Sequence, residues 1–243
     1  MLGLGNFSSK PDIARWDPEN GLSLTIWLTA READLTLVST AITTWTDRVS
    51  GLAYTQSTAA RKPVWNSSDQ TITFTISGTA DYLQEASTPV VLDTSATGYT
   101  LAWYGTSTDW NSGADQVFFG DAGANNDFFF LDADTNDLAL KADGQTRTFS
   151  LDNPGTLTND TLYHIMVVVQ TNGAAILYID NVAQEDTETF TNTKDFEIDQ
   201  ISGKNSASKT FDGKYKEIMV FRSPLSASDR KGCYEYMTRP SYT

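Results

Sequence analysis

Oxygen-bearing side chains recur at every second position in the stretch DADTND, residues 132–137. The oxygens belong to Asp132, Asp134 and Asn136. The first half of an EF-hand calcium loop has this spacing. Asp137 stands where that loop needs glycine, and Asp143 stands where it needs a bidentate glutamate, so the stretch is equally typical of a hairpin turn. We expect no obligatory cofactor, and calcium is the ion that this pattern would bind.

A second oxygen-rich stretch, DAGANND, spans residues 121–127. It carries two carboxylates and two amides, which are ligand types that calcium takes. Its spacing follows no established calcium loop. Solvated turn residues therefore remain an alternative to a metal site here.

A tryptophan in a polar loop offers a different chemistry. The stretch TDWNSG, residues 108–113, places Trp110 between Asp109 and Asn111. Sugar rings bind exposed aromatic faces that are flanked by hydrogen-bonding amides or carboxylates. We therefore predict Trp110, Asp109 and Asn111 as a ligand-binding site, with a protein interface as the alternative use of an exposed tryptophan.

Several classes of function lack the residues they need. His164 and Cys233 are the only histidine and cysteine, so neither a nucleophilic triad nor a zinc site can be assembled, and His164 is predicted to be structural. The net charge is −14, which repels phosphate backbones and anionic lipid surfaces. We expect no nucleic-acid partner and no membrane partner.

Alternating β-branched and aromatic residues dominate the chain and are separated by Gly, Asn, Asp and Pro. Many short strands with short turns predict an all-β fold, an antiparallel β-sandwich. We expect a single domain over residues 21–243. Residues 1–20 have too little apolar periodicity for a core of their own and are predicted to form an N-terminal arm that docks on another chain. The candidate interface residues of that arm are Leu2, Leu4, Phe7 and Trp16.

The C-terminal stretch FDGKYKEIMVFRSPLSASDR predicts one strand and one short helix. Strict alternation places Tyr215 on the same face as Glu217 and Met219. After the proline, Ser226 and Asp229 form an S-x-x-D capping arrangement that predicts the start of the helix.

The order and spacing of several motifs resemble the laminin-G-like, concanavalin A-like jelly-roll family. The matching stretches are residues 42–65, 74–83, 162–182 and 211–230, so that the resemblance covers about residues 22–238. In the first two stretches the matching residues are Trp45, Asp47, Ser50, Gly51, Pro63, Phe74, Asp81, Tyr82 and Leu83. The resemblance implies a concanavalin A-like sandwich with one C-terminal helix, and some members bind calcium at loop aspartates.

The same resemblance raises the question of glycoside hydrolysis. Laminarinase-type enzymes of this fold carry E-x-D-x-x-E or E-x-D-x-E on one strand, because double displacement needs two carboxyl groups about 5–5.5 Å apart. In FEIDQIS, Glu197 and Asp199 match the first two positions, but the third is Ser202 or Ile201. The acid/base is therefore missing, and we predict that the protein is not an enzyme.

The start MLGLGN resembles the beginnings of virion proteins of this fold in tailed phages of marine bacteria and cyanobacteria. It implies a virion structural protein, in head decoration or in the tail and fibre, that assembles in the host cytoplasm without a secretion signal. Its partners would be capsid or tail subunits, in a homo-oligomer or multi-copy assembly. A carbohydrate-binding module or adhesin that recognises cell-surface glycans is the alternative, and a glycan hydrolase is a third.

Overall fold

The computed structural model describes residues 16–19, 22–76, 78–85, 89–123, 127–152, 155–191, 195–203 and 209–240. Within these ranges the chain forms nineteen β-strands and one α-helix. The elements are β1 (Leu24–Thr29), β2 (Leu35–Val38), β3 (Ala41–Thr46), β4 (Ala53–Thr55), β5 (Val64–Asn66), β6 (Thr71–Phe74), β7 (Leu83–Gln84), β8 (Val90–Asp93), β9 (Tyr99–Ser107), β10 (Gln116–Gly120), β11 (Phe128–Leu131), β12 (Leu138–Ala142), β13 (Gln145–Phe149), β14 (Tyr163–Val169), β15 (Ala174–Ile179), β16 (Val182–Thr189), β17 (Asp195–Ile198), β18 (Gln200–Ile201), β19 (Gly213–Phe221) and α1 (Ala227–Met237).

The described strands pair in one large sheet and one short ladder, and the pairings between strands are antiparallel. In the sheet, one run follows the order β6, β19, β9, β14, β15 and β16, and a second follows β2, β3, β4, β7, β18, β10, β11, β12 and β13. Strand β5 pairs with both β3 and β6 and so joins the two runs, while β8 pairs with β17. The predicted all-β, antiparallel fold is confirmed. The FEIDQIS stretch forms two strands, β17 and β18, which are separated at Asp199.

Side chains from both runs of strands meet in one hydrophobic core. The ring of Trp103 on β9 lies 4.8 Å from that of Phe118 on β10, and Tyr215 packs against both Trp45 and Trp103. These four side chains are fully buried. Aromatic side chains bury more apolar area than other residues, so this cluster is a major source of stability.

A β-bulge in β19 changes which side chains face this core. Tyr215 pairs with Gly105 and Glu217 with Tyr104, so Lys216 is the extra residue. As a result, Tyr215 shares the core with Ile218, while Glu217 lies on the opposite face. The expectation that Tyr215 and Glu217 share a face is wrong, because alternation is broken between them.

The C-terminal helix packs on the face of the sheet that is turned away from the main core. Ser226 caps it, since its hydroxyl oxygen accepts a 3.2 Å hydrogen bond from the amide of Asp229, as predicted. Its residues Cys233 and Met237 are buried against the sheet. No helix in the described ranges has the length and apolarity needed to cross a membrane.

The predicted interface residue Trp16 packs against the chain's own helix. Its ring lies 5.7 Å from that of Tyr236, and a Cβ atom built on Gly232 would approach it to 2.3 Å. A glycine on α1 therefore makes the space that Trp16 fills. The prediction that Trp16 contacts another chain stays a prediction, and Leu2, Leu4 and Phe7 lie outside the described residues.

Candidate functional site

A groove of about 450 Å³ lies over strands β3, β4 and β7. In β7 the alternation buries Leu83 in the core and turns the half-buried Tyr82 and Gln84 to the opposite face. On β4, Tyr54 is buried in the same way and Thr55 is exposed. The groove is lined by Thr43, Thr55, Gln56, Ser57, Lys62, Tyr82 and Gln84.

The walls of the groove combine fixed and available polar groups. The amide of Gln56 is held at both ends: its nitrogen donates to the carbonyl of Tyr82 at 3.2 Å, and its oxygen accepts from the amide of Thr58 at 2.9 Å. Within the described part of the chain, the ends of the Lys62, Tyr82 and Gln84 side chains make no hydrogen bond. An ammonium, a phenol and an amide are therefore available to a ligand, beside an aromatic ring.

The loop that carries Trp110 is not the exposed platform that its polar neighbours predicted. The side chain of Trp110 is only 3% exposed and packs near Trp103, Tyr163 and Phe211. Its backbone amide donates to Asn159 at 2.9 Å, which fixes the loop. The prediction of an exposed Trp110 is wrong, because a polar flank in the sequence does not reveal that other strands cover the ring.

The two predicted loop sites nevertheless meet at one cleft of about 230 Å³. Asn111, which follows Trp110, lines this cleft together with Asn136 and Asp137 of the β11–β12 turn. Asp109 uses its carboxylate within the loop, where it accepts from the amide of Asn111 at 2.9 Å. The cleft is polar at its rim, and its aromatic ring is largely covered.

The turn at residues 132–137 uses its oxygens to close a hairpin. The carboxylate of Asp132 accepts from the amide of Asp134 at 3.0 Å, and the carbonyl of Asp132 accepts from the amide of Asn136 at 2.8 Å. Asn136 has φ of 59°, a left-handed conformation typical of asparagine in turns. The hairpin interpretation is confirmed, and Asp132, Asp134 and Asn136 stay a calcium prediction that no observation supports.

A different set of carboxylates converges at the end of β10. Asp121 follows β10, Asp127 precedes β11, and Glu197 lies on β17, and one oxygen from each lies within 4.8 Å of the others. Two oxygens at about 2.4 Å from one calcium ion lie at most about 4.8 Å apart, so any two of these three oxygens are close enough to contact one ion. Among the described residues, this is the one group of three acidic, histidine or cysteine side chains that converges in this way.

Burial and like charge both raise pKa values in this carboxylate cluster, which we define as Asp121, Asp127, Glu197 and Asp199. Burial, and then the charges of Glu197 and Asp121, raise the pKa of Asp127 to about 6. Burial, and then the same kind of repulsion from Asp121 and Glu197, raises the pKa of Asp199 to about 6. A cation at the centre of the cluster would oppose this repulsion.

Backbone hydrogen bonds fix the cluster. The amide of Asp121 donates to the carbonyl of Asp127 at 2.8 Å, which closes the loop between β10 and β11. The carboxylate of Asp199 accepts from the amide of Ala122 at 2.6 Å, which attaches β17 to that loop. The carboxylates therefore converge because three chain segments are held together.

The third position of the glycosidase pattern is occupied by core residues. Ser202 is fully buried, and its hydroxyl donates to the carbonyl of Asp81 at 3.1 Å. Ile201 is fully buried as well. Neither can donate a proton to a leaving group, so the E-x-D pattern at Glu197 and Asp199 has no partner acid on its own strand.

The lone histidine and cysteine are buried where the C-terminal helix packs on the sheet, His164 on β14 and Cys233 on α1. His164 is fully buried, and burial lowers its pKa to about 3. Burial also raises the pKa of the Cys233 thiol. The prediction that His164 is structural is confirmed by its place between the sheet and the ring of Tyr234, 5.5 Å away.

A family model described as the concanavalin A-like lectin/glucanases superfamily matches residues 77–229. The chain belongs to this superfamily. The match covers the carboxylate cluster and the strands around it, and it confirms the resemblance seen in the sequence. No curated protein is significantly similar to the chain in sequence.

Solved structures share the fold at low sequence identity. The binding domain of botulinum neurotoxin DC in complex with SialylT has a TM-score of 0.59 at 12% identity, over 89% of this chain and 51% of that chain. A botulinum neurotoxin type C structure has a TM-score of 0.56 at 17% identity, over 89% and 52%. Trypanosoma rangeli sialidase has a TM-score of 0.53 at 10% identity, over 87% and 32%. The chain thus spans about half of each neurotoxin chain and about a third of the sialidase.

The groove was not predicted from the sequence, although a signal for it exists. Tyr82 and Leu83 were identified as family residues, and a period of two around a buried Leu83 turns Tyr82 and Gln84 to the other face. What the sequence could not reveal is that β3 and β4 lie beside β7.

Proposed function

We propose that the protein is a non-catalytic glycan-binding module built on a lectin-like jelly-roll sandwich, and that the groove over β3, β4 and β7 is its binding site. The observation that carries the proposal is the combination of Tyr82 with the polar ends of Lys62 and Gln84, which make no hydrogen bond within the described residues. Sugars present C–H faces that pack on aromatic rings and hydroxyl groups that exchange hydrogen bonds with amides.

The groove fits a glycan better than the cleft beside Asn111 does. Its volume of about 450 Å³ lies within the range of about 300–1,000 Å³ that is usual for small-molecule sites, whereas the cleft has about 230 Å³. Tyr82 is half-buried and accessible, whereas Trp110 is 3% exposed. Size and aromatic access therefore favour the groove.

The structural neighbours support this class of ligand. One neurotoxin binding domain is in complex with SialylT, and cell entry of neurotoxin type C depends on interaction with two ganglioside molecules. At identities of 12% and 17% these relatives share the fold, so the choice of ligand for this chain rests on its own groove.

Binding to a glycan array, followed by calorimetric titration, tests the proposal. We expect Tyr82→Ala to weaken binding about tenfold, because it removes the stacking surface. Asn111→Ala in the cleft is the matched control and should leave the affinity unchanged, with melting temperatures recorded for both variants. Loss of binding in Asn111→Ala alone would place the site in the cleft, and no binding to any glycan would refute the proposal. Release of sugars from β-glucans, alginate or agar would contradict the non-catalytic part.

We also propose that the carboxylate cluster binds calcium and so stabilises the edge of the module. The support is the convergence of Asp121, Asp127 and Glu197, together with the raised pKa of Asp127, which burial and then like-charge repulsion cause. The ion would bridge the loop after β10 to β17, which are far apart in sequence.

The virion role remains a separate proposal that could coexist with glycan binding. Its support is the start of the sequence and the negative charge, and residues 1–15 lie outside the described part of the chain. A glycan-binding module on a particle surface would give the virion a means of attachment. Mass spectrometry of purified particles tests it, and absence of the protein from them would refute it.

A further inference from the structure

We infer that the groove selects acidic glycans, those that carry a carboxylate or a sulfate group. The inference rests on the proposed glycan-binding function and specifies the ligand class of the same site. It derives from the charges around the groove, which differ in sign from the charge of the whole molecule.

Two cations lie at the groove. Lys62 lines it, and the guanidinium carbon of Arg61 lies 5.7 Å from the centre of the Tyr82 ring. Within the described residues, neither side chain forms an ion pair with an acidic residue. A lysine supplies a mobile point charge and an arginine a planar fork of donors, which together suit a carboxylate or a sulfate.

No carboxylate is among the described residues that line the groove. The acidic residues next to it in the sequence are Asp81 and Glu85, which flank the stretch from Tyr82 to Gln84 and so face the other side of the chain. Glu85 is 6% exposed. Burial, and then the charges of Asp47 and Glu85, raise the pKa of the core residue Tyr54, which agrees with Glu85 facing the core.

The net charge of −14 does not prevent an acidic ligand from binding here. Exposed charges farther apart than about 8 Å are largely screened at physiological ionic strength, so a bound anion responds mainly to the groove itself. The two cations at the groove therefore decide whether an acidic glycan binds there.

The test uses the full chain on an array that contains lactose, sialyllactose, sulfated lactose and uronic acid oligosaccharides. We expect binding to acidic members only, and weaker binding when sodium chloride rises from about 0.05 to about 0.5 M. Lys62→Gln should weaken binding at least about tenfold, because it removes a charge-assisted hydrogen bond. Lys231→Gln, on the exposed side of α1, is the matched control and should not change the affinity.

Each outcome decides between the two proposals. Equal binding of neutral and acidic glycans overturns the acidic preference and leaves the glycan-binding function standing. Acidic binding that survives the double substitution of Arg61 and Lys62 by Gln overturns the assignment of the preference to these cations. No binding to any member overturns the glycan-binding function itself. Binding to sulfated or to carboxylated members alone identifies which acid the groove accepts.

Discussion

Two acidic regions of the same molecule use their side-chain oxygens differently. The turn at residues 132–137 gathers its oxygens within six consecutive residues and uses them to close a hairpin. The carboxylate cluster draws Asp121 and Asp127 from one loop and Glu197 from a strand far along the chain, and its oxygens converge. A dense run of possible ligand residues in the sequence therefore does not identify the group of carboxylates that converges in the structure.

The difference follows from how a turn satisfies its backbone. In a tight turn, Asp and Asn side chains are within reach of the nearest amides, so hydrogen bonds inside the turn use them first. In the carboxylate cluster, side chains instead accept from amides of other segments, as Asp199 does from Ala122 and Asp127 from Asp143. The fold brings oxygens of Asp121, Asp127 and Glu197 within 4.8 Å of one another. Burial, and then repulsion between like charges, raise the pKa values of Asp127 and Asp199.

The largest expected effect is loss of calcium binding at the cluster. At calcium concentrations about a hundredfold above the dissociation constant, a single site stabilises the folded protein by about 2.7 kcal/mol. We expect calcium to raise the melting temperature of the wild type and not of Asp127→Asn, which removes one ligand charge but keeps an oxygen that can accept the bond from Asp143. Differential scanning calorimetry with calcium and with chelator measures this.

Glu197→Gln serves as the second variant, since Glu197 lies on β17 and not on the loop that carries Asp127. If calcium still raises the melting temperature of both variants, the proposal that calcium binds at the carboxylate cluster is refuted. Magnesium is the control ion, because it demands a tighter octahedral geometry than this triangle provides.

Much of the fold could be predicted from the sequence because its causes are local. Alternation identified the main strands, the turn residues identified the β11–β12 hairpin, and Ser226 with Asp229 identified the start of the helix. The exception was Tyr215, which the bulge at Lys216 moves into the core. A single extra residue in a strand does not change the amino-acid composition, so the alternation pattern placed Tyr215 on the wrong face of β19.

The site was less predictable because its causes are tertiary. Asp121 and Glu197 were each noticed, one in an oxygen-rich loop and one in a glycosidase pattern, but nothing local shows that β17 lies beside the loop after β10. The prediction that Trp110 is exposed was wrong for the same reason, since the strands that cover its ring are distant in sequence. The period of two around Leu83 indicated that Tyr82 and Gln84 share a face, but nothing in the sequence indicated the groove.

A smaller effect is expected from pH, through the two carboxyl groups whose folded pKa is about 6. An acid with a raised pKa keeps its proton in the folded state after the unfolded chain has released it. Stability from these groups is therefore greatest below about pH 4, falls as the pH rises to about 6, and stays low above that. Without calcium, Asp127→Asn should be more stable than the wild type at pH 7 by on the order of 1 kcal/mol, and equal to it near pH 4.

Thermal unfolding of both proteins in chelator, over about pH 4 to 7, measures that difference. A gap in melting temperature that does not change with pH would show that the substitution acts through packing or hydrogen bonding. In that case, repulsion within the carboxylate cluster does not cause a pH dependence of the protein's stability.

The smallest effect is expected in the hairpin turn. Asp134 is exposed, and its carboxylate makes no hydrogen bond or ion pair within the described residues, so Asp134→Asn should change the free energy of unfolding by less than about 0.5 kcal/mol. It should also leave the calcium response intact, in contrast to Asp127→Asn, although both changes remove one carboxylate from an acidic region. Should Asp134→Asn instead abolish the response, the oxygens at alternate positions of the turn would be the metal ligands, and the convergent cluster would be only a repulsive edge of the fold.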